Sequence, residues 1–358
     1  MIVVVYLLLM LFAFAVLAKI CDKYFVQSLE IISKKMKLTD DVAGATFMAI
    51  GSSAPEFFTA AIAMMTVGSE VVGAGTIVGS ALFNLLVIIG WSAVVMKHTA
   101  WKLKKAPLIR DLMFYVRALA MLYVTFADGI ITLMETGLYL LSYIVYIVIL
   151  SQRSKRYAHH RISIAEAVEE EQERFEKHSG KLGRIMARID HFTDKLFPNL
   201  DKKPQLARTS FGLSIAWIIA LSRLLVESGV GFAHEVGIPE VVIGLTILAA
   251  WTSIPDLLAS LIVSKKGQID MAVSNAVGSN IFDIFVCLGL PRCLYILFTW
   301  QEVTMSTQGL DTAILLLLGS VVVLIALLIS SKFAIKKRIG LLLIAIYVAY
   351  VIYQLLVI

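Results

Sequence analysis

Glu56 and Asp256 each stand one residue after a proline, inside long apolar runs. Small hydroxyl side chains precede both: Ser52 and Ser53 before Pro55, Thr252 and Ser253 before Pro255. A third acid, Asp283, closes the stretch SNAVGSNIFD (274–283), and Asn84 closes the matching GTIVGSALFN (75–84). A carboxylate at membrane depth costs at least about 2.5–3.5 kcal/mol, so it marks an ion or substrate path more often than packing. The companions of these acids are also oxygens. They are the hydroxyls of Ser52, Ser53, Ser80, Thr252, Ser253 and Ser279, the amides of Asn84 and Asn280, and the backbone carbonyls of Ala49 and Ala249, expected to be freed by the helix breaks. The repeat cores contain no His and no Cys. Ligation by oxygen alone selects hard cations: calcium, sodium, potassium. Ser53 and Glu56 lie about one helical turn apart, as do Ser80 and Asn84, and Ser279 and Asp283, so each pair faces one centre. Three carboxylates in low dielectric repel unless cations neutralise them. One divalent and one monovalent cation balance that charge, a physical route to joint binding of Ca2+ and K+. An empty, uncompensated site resists crossing between the two membrane faces, which favours exchange. Sodium is similar in size to calcium and can load the same oxygens in greater number.

These residues come from two copies of one pattern. GATFMAIGSSAPE (44–56) lies on GLTILAAWTSIPD (244–256), pairing Gly44 with Gly244, Thr46 with Thr246, Ala49 with Ala249, Ser53 with Ser253, Pro55 with Pro255 and Glu56 with Asp256. After a one-residue slip, Val78-Gly79-Ser80 lies on Val277-Gly278-Ser279, Phe83 on Phe282 and Asn84 on Asp283. Interrupted apolar segments in matching halves are the best sequence pointer to a secondary transporter's binding site. Gly79 and Gly278 are expected to let neighbouring helices come close.

The chain as a whole supplies the membrane. Of its 358 residues 59% are hydrophobic and only 16% charged, with mean hydropathy +0.85, against about a quarter charged in soluble domains. The expected fold is all-α and polytopic, with ten spans near 2–32, 42–66, 71–96, 108–127, 129–150, 207–230, 240–264, 271–299, 309–331 and 338–357. Lys34, Lys35 and Lys37, then Lys97 to Arg110, Lys265 and Lys266, and Lys332 to Arg338 fall in alternate connectors, whereas the others lack Lys and Arg. Basic connectors mark the cytoplasmic side, so both termini are expected outside or in a lumen, and the linker in the cytoplasm. Arg292 is the one exception. The two repeats then cross in opposite senses: residues 1–150 form a first transmembrane half (repeat about 42–90), 151–206 a cytoplasmic linker, and 207–358 a second half (repeat about 241–289). The net charge of +6 follows this topology and is no nucleic-acid signal. Cys21, Cys287 and Cys293 form no disulfide framework and read as small core residues. The apolar N-terminus reads as a first span and not a signal peptide. Ala165 to Arg188 reads as a solvated amphipathic helix whose Leu182, Ile185, Met186 and Ile189 rest on the membrane or the domain. It has no DxDxDG loop for calcium sensing.

GATFMAIGSSAPEFFT with GTIVGSALFNLLVIIG, and GLTILAAWTSIPDLLAS with DMAVSNAVGSNIFD, resemble the two alpha repeats of the calcium/cation antiporter superfamily, and within it the K+-dependent Na+/Ca2+ exchangers. CDKYFVQSLEIISKKMKLTDDVAGATFMA also resembles that family. The resemblance implies Glu56 and Asp256 as paired Ca2+/Na+ carboxylates. It implies Ser53, Ser253, Ser80 and Ser279 as outer sodium ligands, with Thr46 and Thr246 nearby. It implies Asp283 as the determinant of potassium dependence, with Asn84 in the corresponding place. Trp251 departs from the pattern, standing where the family has Gly and the first repeat has Gly51. It either narrows an access path or faces lipid or a neighbouring helix.

The expected activity is therefore antiport of Na+ against Ca2+ with K+ by alternating access, in a plasma or vesicle membrane, without a cofactor and without enzymatic chemistry. Ca2+/H+ exchange, or K+-independent exchange, on the same fold stays open. A cation channel is disfavoured by the inverted repeat, and protease motifs are missing. Asp270 and Asn275 are placed at the cytoplasmic mouth, with a helix cap as the alternative for Asp270.

Overall fold

The computed structural model describes residues 2–35, 53–67, 69–97, 99–152, 180–200, 202–305 and 309–356. Thr46, Ala49, Gly51 and Ser52 lie outside them, as do Asp40, Asp41 and most of the mixed-charge linker. The described residues are helical almost throughout. In order it forms α1 (Ile2–Ile32), α2 (Ala54–Met65), α3 (Glu70–Val95), α4 (Lys105–Phe126), α5 (Leu133–Gln152), α6 (Gly180–Leu196), α7 (Ala207–Val236), α8 (Glu240–Thr252), α9 (Ile254–Lys265), α10 (Ile269–Thr299), α11 (Leu310–Ser330) and α12 (Lys337–Leu356). Among the described residues seven helices are long and apolar enough to cross a membrane, and α8 with α9 makes an eighth if the bent pair is one span. α4 falls outside that group because Lys105, Arg110, Asp111 and Arg117 dilute its apolar run.

α3 is the centre of the bundle and is enclosed from Val72 to Gly90. Its Ile77, Val78, Ala81 and Leu85 join one large core with Ala118 and Leu122 of α4, Val277 and Ile281 of α10, Leu317 of α11 and Leu343 of α12. A second core seals α1 to α7 through Ala13, Leu17, Ile20, Ile218, Leu221 and Leu225. Large apolar side chains on α1, α5 and α12 point outward, as a lipid solvent demands. Two short antiparallel sheets tie connectors together. β1 (Ala100–Lys102) pairs with β4 (Ala334–Lys336), and β2 (Ile130–Ile131) pairs with β3 (Val303–Thr304).

The helix α6 is described from Gly180, and the expected start at Ala165 lies outside the described residues. Its described part docks on α1: Lys19 Nζ lies 2.7 Å from Asp190, Lys23 Nζ lies 2.6 Å from Asp194, and Tyr24 stacks on Phe197 at 4.1 Å. Ile189 packs against the second core, as expected for a face resting on the domain.

Candidate functional site

The residue two before each of the two prolines takes the same local shape. Ser53 (φ −97°, ψ 14°) and Ser253 (φ −88°, ψ 0°) leave helical geometry, and a new helix starts at Ala54 and at Ile254. Pro55 and Pro255 fall in those first turns, where a missing N–H costs nothing because no carbonyl waits for it. Glu56 and Asp256 therefore sit at the positive ends of α2 and α9, with the helix dipoles favouring their charge. The bend between α8 and α9 is 45°.

Asn84 and Asp283 each begin a widened π-helical turn, Asn84–Ile88 in α3 and Asp283–Leu288 in α10. Such turns rotate side chains out of α-helical register and recur at functional sites. Here they bring Asn84 and Asp283 to the breaks.

The three acids are brought together. Glu56 (1% exposed), Asp256 (4%) and Asp283 (1%) are all buried. Glu56 feels the charges of Asp283 and Asp256 and lies beside Thr252. Asp256 lies beside Ser279 and accepts a bond from Asn275 Nδ2 at 3.4 Å. Asp283 lies beside Ser53 and Ser80. The Ser80 and Ser253 hydroxyls are 2.6 Å apart across the two repeats, and Asn84 Nδ2 donates to Asn280 Oδ1 at 2.9 Å. Among the described residues, Glu56 Oε2, Asp283 Oδ2, Ser53 Oγ and Asn84 Oδ1 are buried with no hydrogen-bond partner. Unsatisfied buried oxygens, two of them carboxylate, are expensive unless cations complete them. No three His, Cys, Asp or Glu side chains among the described residues converge closely enough to hold a metal ion by themselves. Hydroxyl and amide oxygens must therefore share the coordination, which suits hard cations.

Several sequence expectations are corrected here. The Ala249 carbonyl is not free: it accepts Ser253 N at 3.2 Å and Thr252 Oγ1 at 3.3 Å, because the break falls a turn later. It can join an ion's shell only by giving up one of these bonds. Thr246 Oγ1 turns away to its own helix, donating to Val242 O at 2.5 Å. Gly79 does meet α8 closely, but nothing lies within 4 Å of a Cβ at Gly278. Asp270 is no cap. It sits inside the first turn of α10 and accepts from Trp101 Nε1 at 2.9 Å and Lys104 N at 2.7 Å, tying β1 to the second repeat. Trp251 is half-buried against Phe14 of α1, with ring centroids 6.2 Å apart, so it faces a neighbouring helix.

The chain matches the sodium/calcium exchanger protein family over residues 6–152 and 208–356. It belongs to that family. Among curated relatives it is similar to "Sodium/potassium/calcium exchanger 2" of Rattus norvegicus (28% identity, 98% of this chain and 78% of the relative) and to "Sodium/potassium/calcium exchanger 5" of Homo sapiens (32% identity, 81% and 70%). Among solved structures it shares the fold of the sodium-calcium exchanger NCX_Mj (21% identity, TM-score 0.54, 97% of each chain) and of the H+/Ca2+ exchanger CAX (13% identity, TM-score 0.67, 98% and 86%).

In this exchanger-family chain, α4 contributes polar groups that the repeat pattern did not flag. Tyr115 OH accepts from Asn280 Nδ2 at 3.0 Å, and Asp111, buried one turn earlier, accepts from Ser274 Oγ at 3.2 Å and Arg110 Nε at 2.8 Å. The available signal was an acid and a tyrosine four residues apart within an otherwise apolar face of α4.

Proposed function

We propose that this chain is a secondary antiporter that exchanges Na+ for Ca2+ together with K+ by alternating access. Glu56 and Asp256 carry Ca2+ or Na+, and Asp283 holds K+. Ser52, Ser53, Ser80, Thr252, Ser253, Ser279 and Asn84 supply neutral oxygens, and the Ala49 and Ala249 carbonyls join during loading. The observation that carries the reading is the burial of three mutually interacting carboxylates with Glu56 Oε2 and Asp283 Oδ2 left without partners. Na+, K+ and Ca2+ are also the ions in the names of its curated relatives.

Ten spans in two inverted halves, 1–150 and 207–358, joined by a cytoplasmic linker, fit this activity. The connector sheets support that arrangement. β1 and β3 follow the third and eighth spans, and β2 and β4 follow the fourth and ninth. Exchanging the halves therefore turns the β1–β4 pair into the β3–β2 pair. The termini then face outside or a lumen, in a plasma or vesicle membrane.

The test is Ca2+ flux in liposomes under imposed Na+ gradients, with and without K+. Na+-driven, K+-stimulated Ca2+ movement that vanishes in Glu56→Gln and Asp256→Asn is expected. Ca2+ movement driven by a pH gradient and indifferent to Na+ would replace this reading with Ca2+/H+ exchange.

A further inference from the structure

The β1–β4 sheet gathers cations from two connectors that are far apart in the chain. Its register sets Ala100 opposite Lys336 and Lys102 opposite Ala334. Directly paired residues point to one face of a sheet, so Lys102 and Lys336 share a face as diagonal neighbours, about 7–8 Å apart. The other face carries Trp101 and the buried Ile335. The pairing runs on through Leu103 N, which donates to the Phe333 carbonyl at 2.8 Å. Lys105 Nζ lies over the Phe333 ring, 5.1 Å from its centroid. Lys332 and Phe333 both hold left-handed backbone, φ 54° and 61°, which is uncommon and costly for residues with side chains. Lys102, Lys104, Lys105, Lys332, Lys336 and Lys337 are all exposed, and among the described residues none of them has an ion-pair partner. Asp270 reaches this corner, but its carboxylate is taken up by Trp101 Nε1 and the Lys104 N–H. Like charges closer than the screening length, about 10 Å at 0.1 M salt, repel. β1 lies between the end of α3 at Val95 and the start of α4 at Lys105, and β4 lies between the end of α11 at Ser330 and the start of α12 at Lys337. Short connectors paired to each other stay at the bilayer surface, where basic clusters meet anionic headgroups.

We propose that this sheet corner is a docking surface for anionic phospholipid headgroups, phosphatidylserine in particular. The inference rests on the spans proposed above and not on the ions they carry. Anionic headgroups seated among the lysines cancel their repulsion and so tighten the β1–β4 tie. That tie joins the connector after α3 to the connector after α11, so the lipid braces the two halves against each other. Lysines on flexible stems meet several headgroups as point charges, whereas a single fixed phosphate is better gripped by an arginine fork. Topology alone asks that lysines lie on one side of the membrane, not that two connectors combine them on one sheet face.

The test places the purified full-length protein in nanodiscs of phosphatidylcholine with rising fractions of phosphatidylserine. Spin-labelled forms of the two lipids report which one occupies the protein boundary. The wild type should favour the anionic label, and its melting midpoint should climb with the phosphatidylserine fraction. Joint replacement by Lys102→Gln, Lys105→Gln, Lys332→Gln and Lys336→Gln should lower the preference at least about fivefold, the factor expected from a single lysine near an anionic surface. The climb in melting midpoint should vanish with it. Arginine at the same four positions should keep both effects. Lys265→Gln with Lys266→Gln, an exposed basic pair on another connector, should keep the climb. A wild type without preference, or a glutamine variant that retains preference and climb, overturns the proposal. An equal loss in the Lys265 and Lys266 variant also overturns it, since net charge would then act without the sheet. Inositol hexakisphosphate matching the effect in pure phosphatidylcholine would assign the surface to a soluble polyanion and overturn the lipid reading. If the fourfold variant does not fold, Lys102→Gln with Lys336→Gln, the diagonal pair, is read in its place. Neither readout needs ion transport, so failure of the antiport reading leaves this test intact.

Discussion

Gly79 and Gly278 hold equivalent places in the two repeats, yet they have opposite surroundings, which gives a controlled experiment. A Cβ added at Gly79 would sit 2.3 Å from the Leu245 carbonyl oxygen and 2.7 Å from Ala249 Cβ, both on α8. Reaching even 3.0 Å requires α3 and α8 to part by about 0.7 Å, and the obstacle is backbone that cannot swing aside. Overpacking of this kind costs about 1–3 kcal/mol, and alanine returns up to about 1 kcal/mol of helix propensity. The net expectation for Gly79→Ala is destabilisation of about 1–2 kcal/mol. The same displacement would stretch the adjoining Ser80–Ser253 contact from 2.6 Å to about 3.3 Å, past the usual range for paired hydroxyls. If that distortion falls on the exchange step, Ca2+ flux drops about tenfold. Gly278→Ala meets nothing within 4 Å and gains only propensity, so its melting midpoint should be unchanged or higher. Both variants should be compared by thermal unfolding in detergent and by flux in liposomes. Equal behaviour of the two, or a Gly79→Ala protein that melts and exchanges like the wild type, would refute the close crossing of α3 and α8.

Other outcomes follow from the same geometry. Asp283→Asn removes the charge assigned to K+, so exchange should persist without potassium; potassium dependence equal to the wild type's would remove Asp283 from that role. Tyr115→Phe deletes one interhelical bond to Asn280, costing about 0.6–1.7 kcal/mol, read as a lower melting midpoint with an intact ion profile. Trp251→Gly removes the contact with Phe14 and should loosen α1 without changing ion preference; altered selectivity would instead put Trp251 on the ion path. The docking of α6 should depend on pH. Burial acts to raise the pKa of Asp194, but hydrogen bonds from Lys23 and Tyr24 outweigh it and hold the carboxyl below its ordinary value. A lowered folded-state pKa means the contact is fully favourable above the unfolded value and is lost as pH falls through the folded one. Proteolysis of the linker should therefore rise only below the ordinary carboxylate range, and Asp194→Asn should flatten that dependence.

The site was legible in the sequence to the extent that its chemistry was carried by local pattern. Proline followed by a carboxylate in an apolar run identified the helix starts at Ala54 and Ile254, and the structure gives Ser53 and Ser253 one shared conformation. The Ala249 carbonyl was misjudged because a proline shows where a helix restarts, not which carbonyl the last turn still occupies. Gly278 was misjudged because a small residue permits close packing without requiring a neighbour. Tyr115 and Asp111 were missed because each lies outside the paired motifs, and a repeat comparison finds only what both copies share. The ion pairs of α6 with Lys19 and Lys23 join residues about 170 positions apart, which no local pattern could disclose.

The departures from the repeat share a direction. In each, the second half of the site differs from the first: Asp283 stands for Asn84, Cys287 for Ile88, Asn280 for Ala81, and Asn280 alone is held by Tyr115 of α4. Asn280 also donates to the Ala81 carbonyl at 3.1 Å, so the residue that breaks the symmetry bridges the two repeats at the position it replaces. The proline-marked acids, by contrast, match closely between the halves. A site built from matched parts can present the same face to either side of the membrane, which alternating access requires. The unmatched parts all surround Asp283, the acid without a counterpart. If Asp283 holds K+ as proposed, selectivity for the additional cation belongs to the second repeat. Transferring the acid alone, by Asn84→Asp with Asp283→Asn, should not restore potassium dependence, because Ala81, in the place of Asn280, offers it no amide. Potassium-stimulated exchange in that double variant would show that the charge suffices and that its asymmetric surroundings do not set the preference.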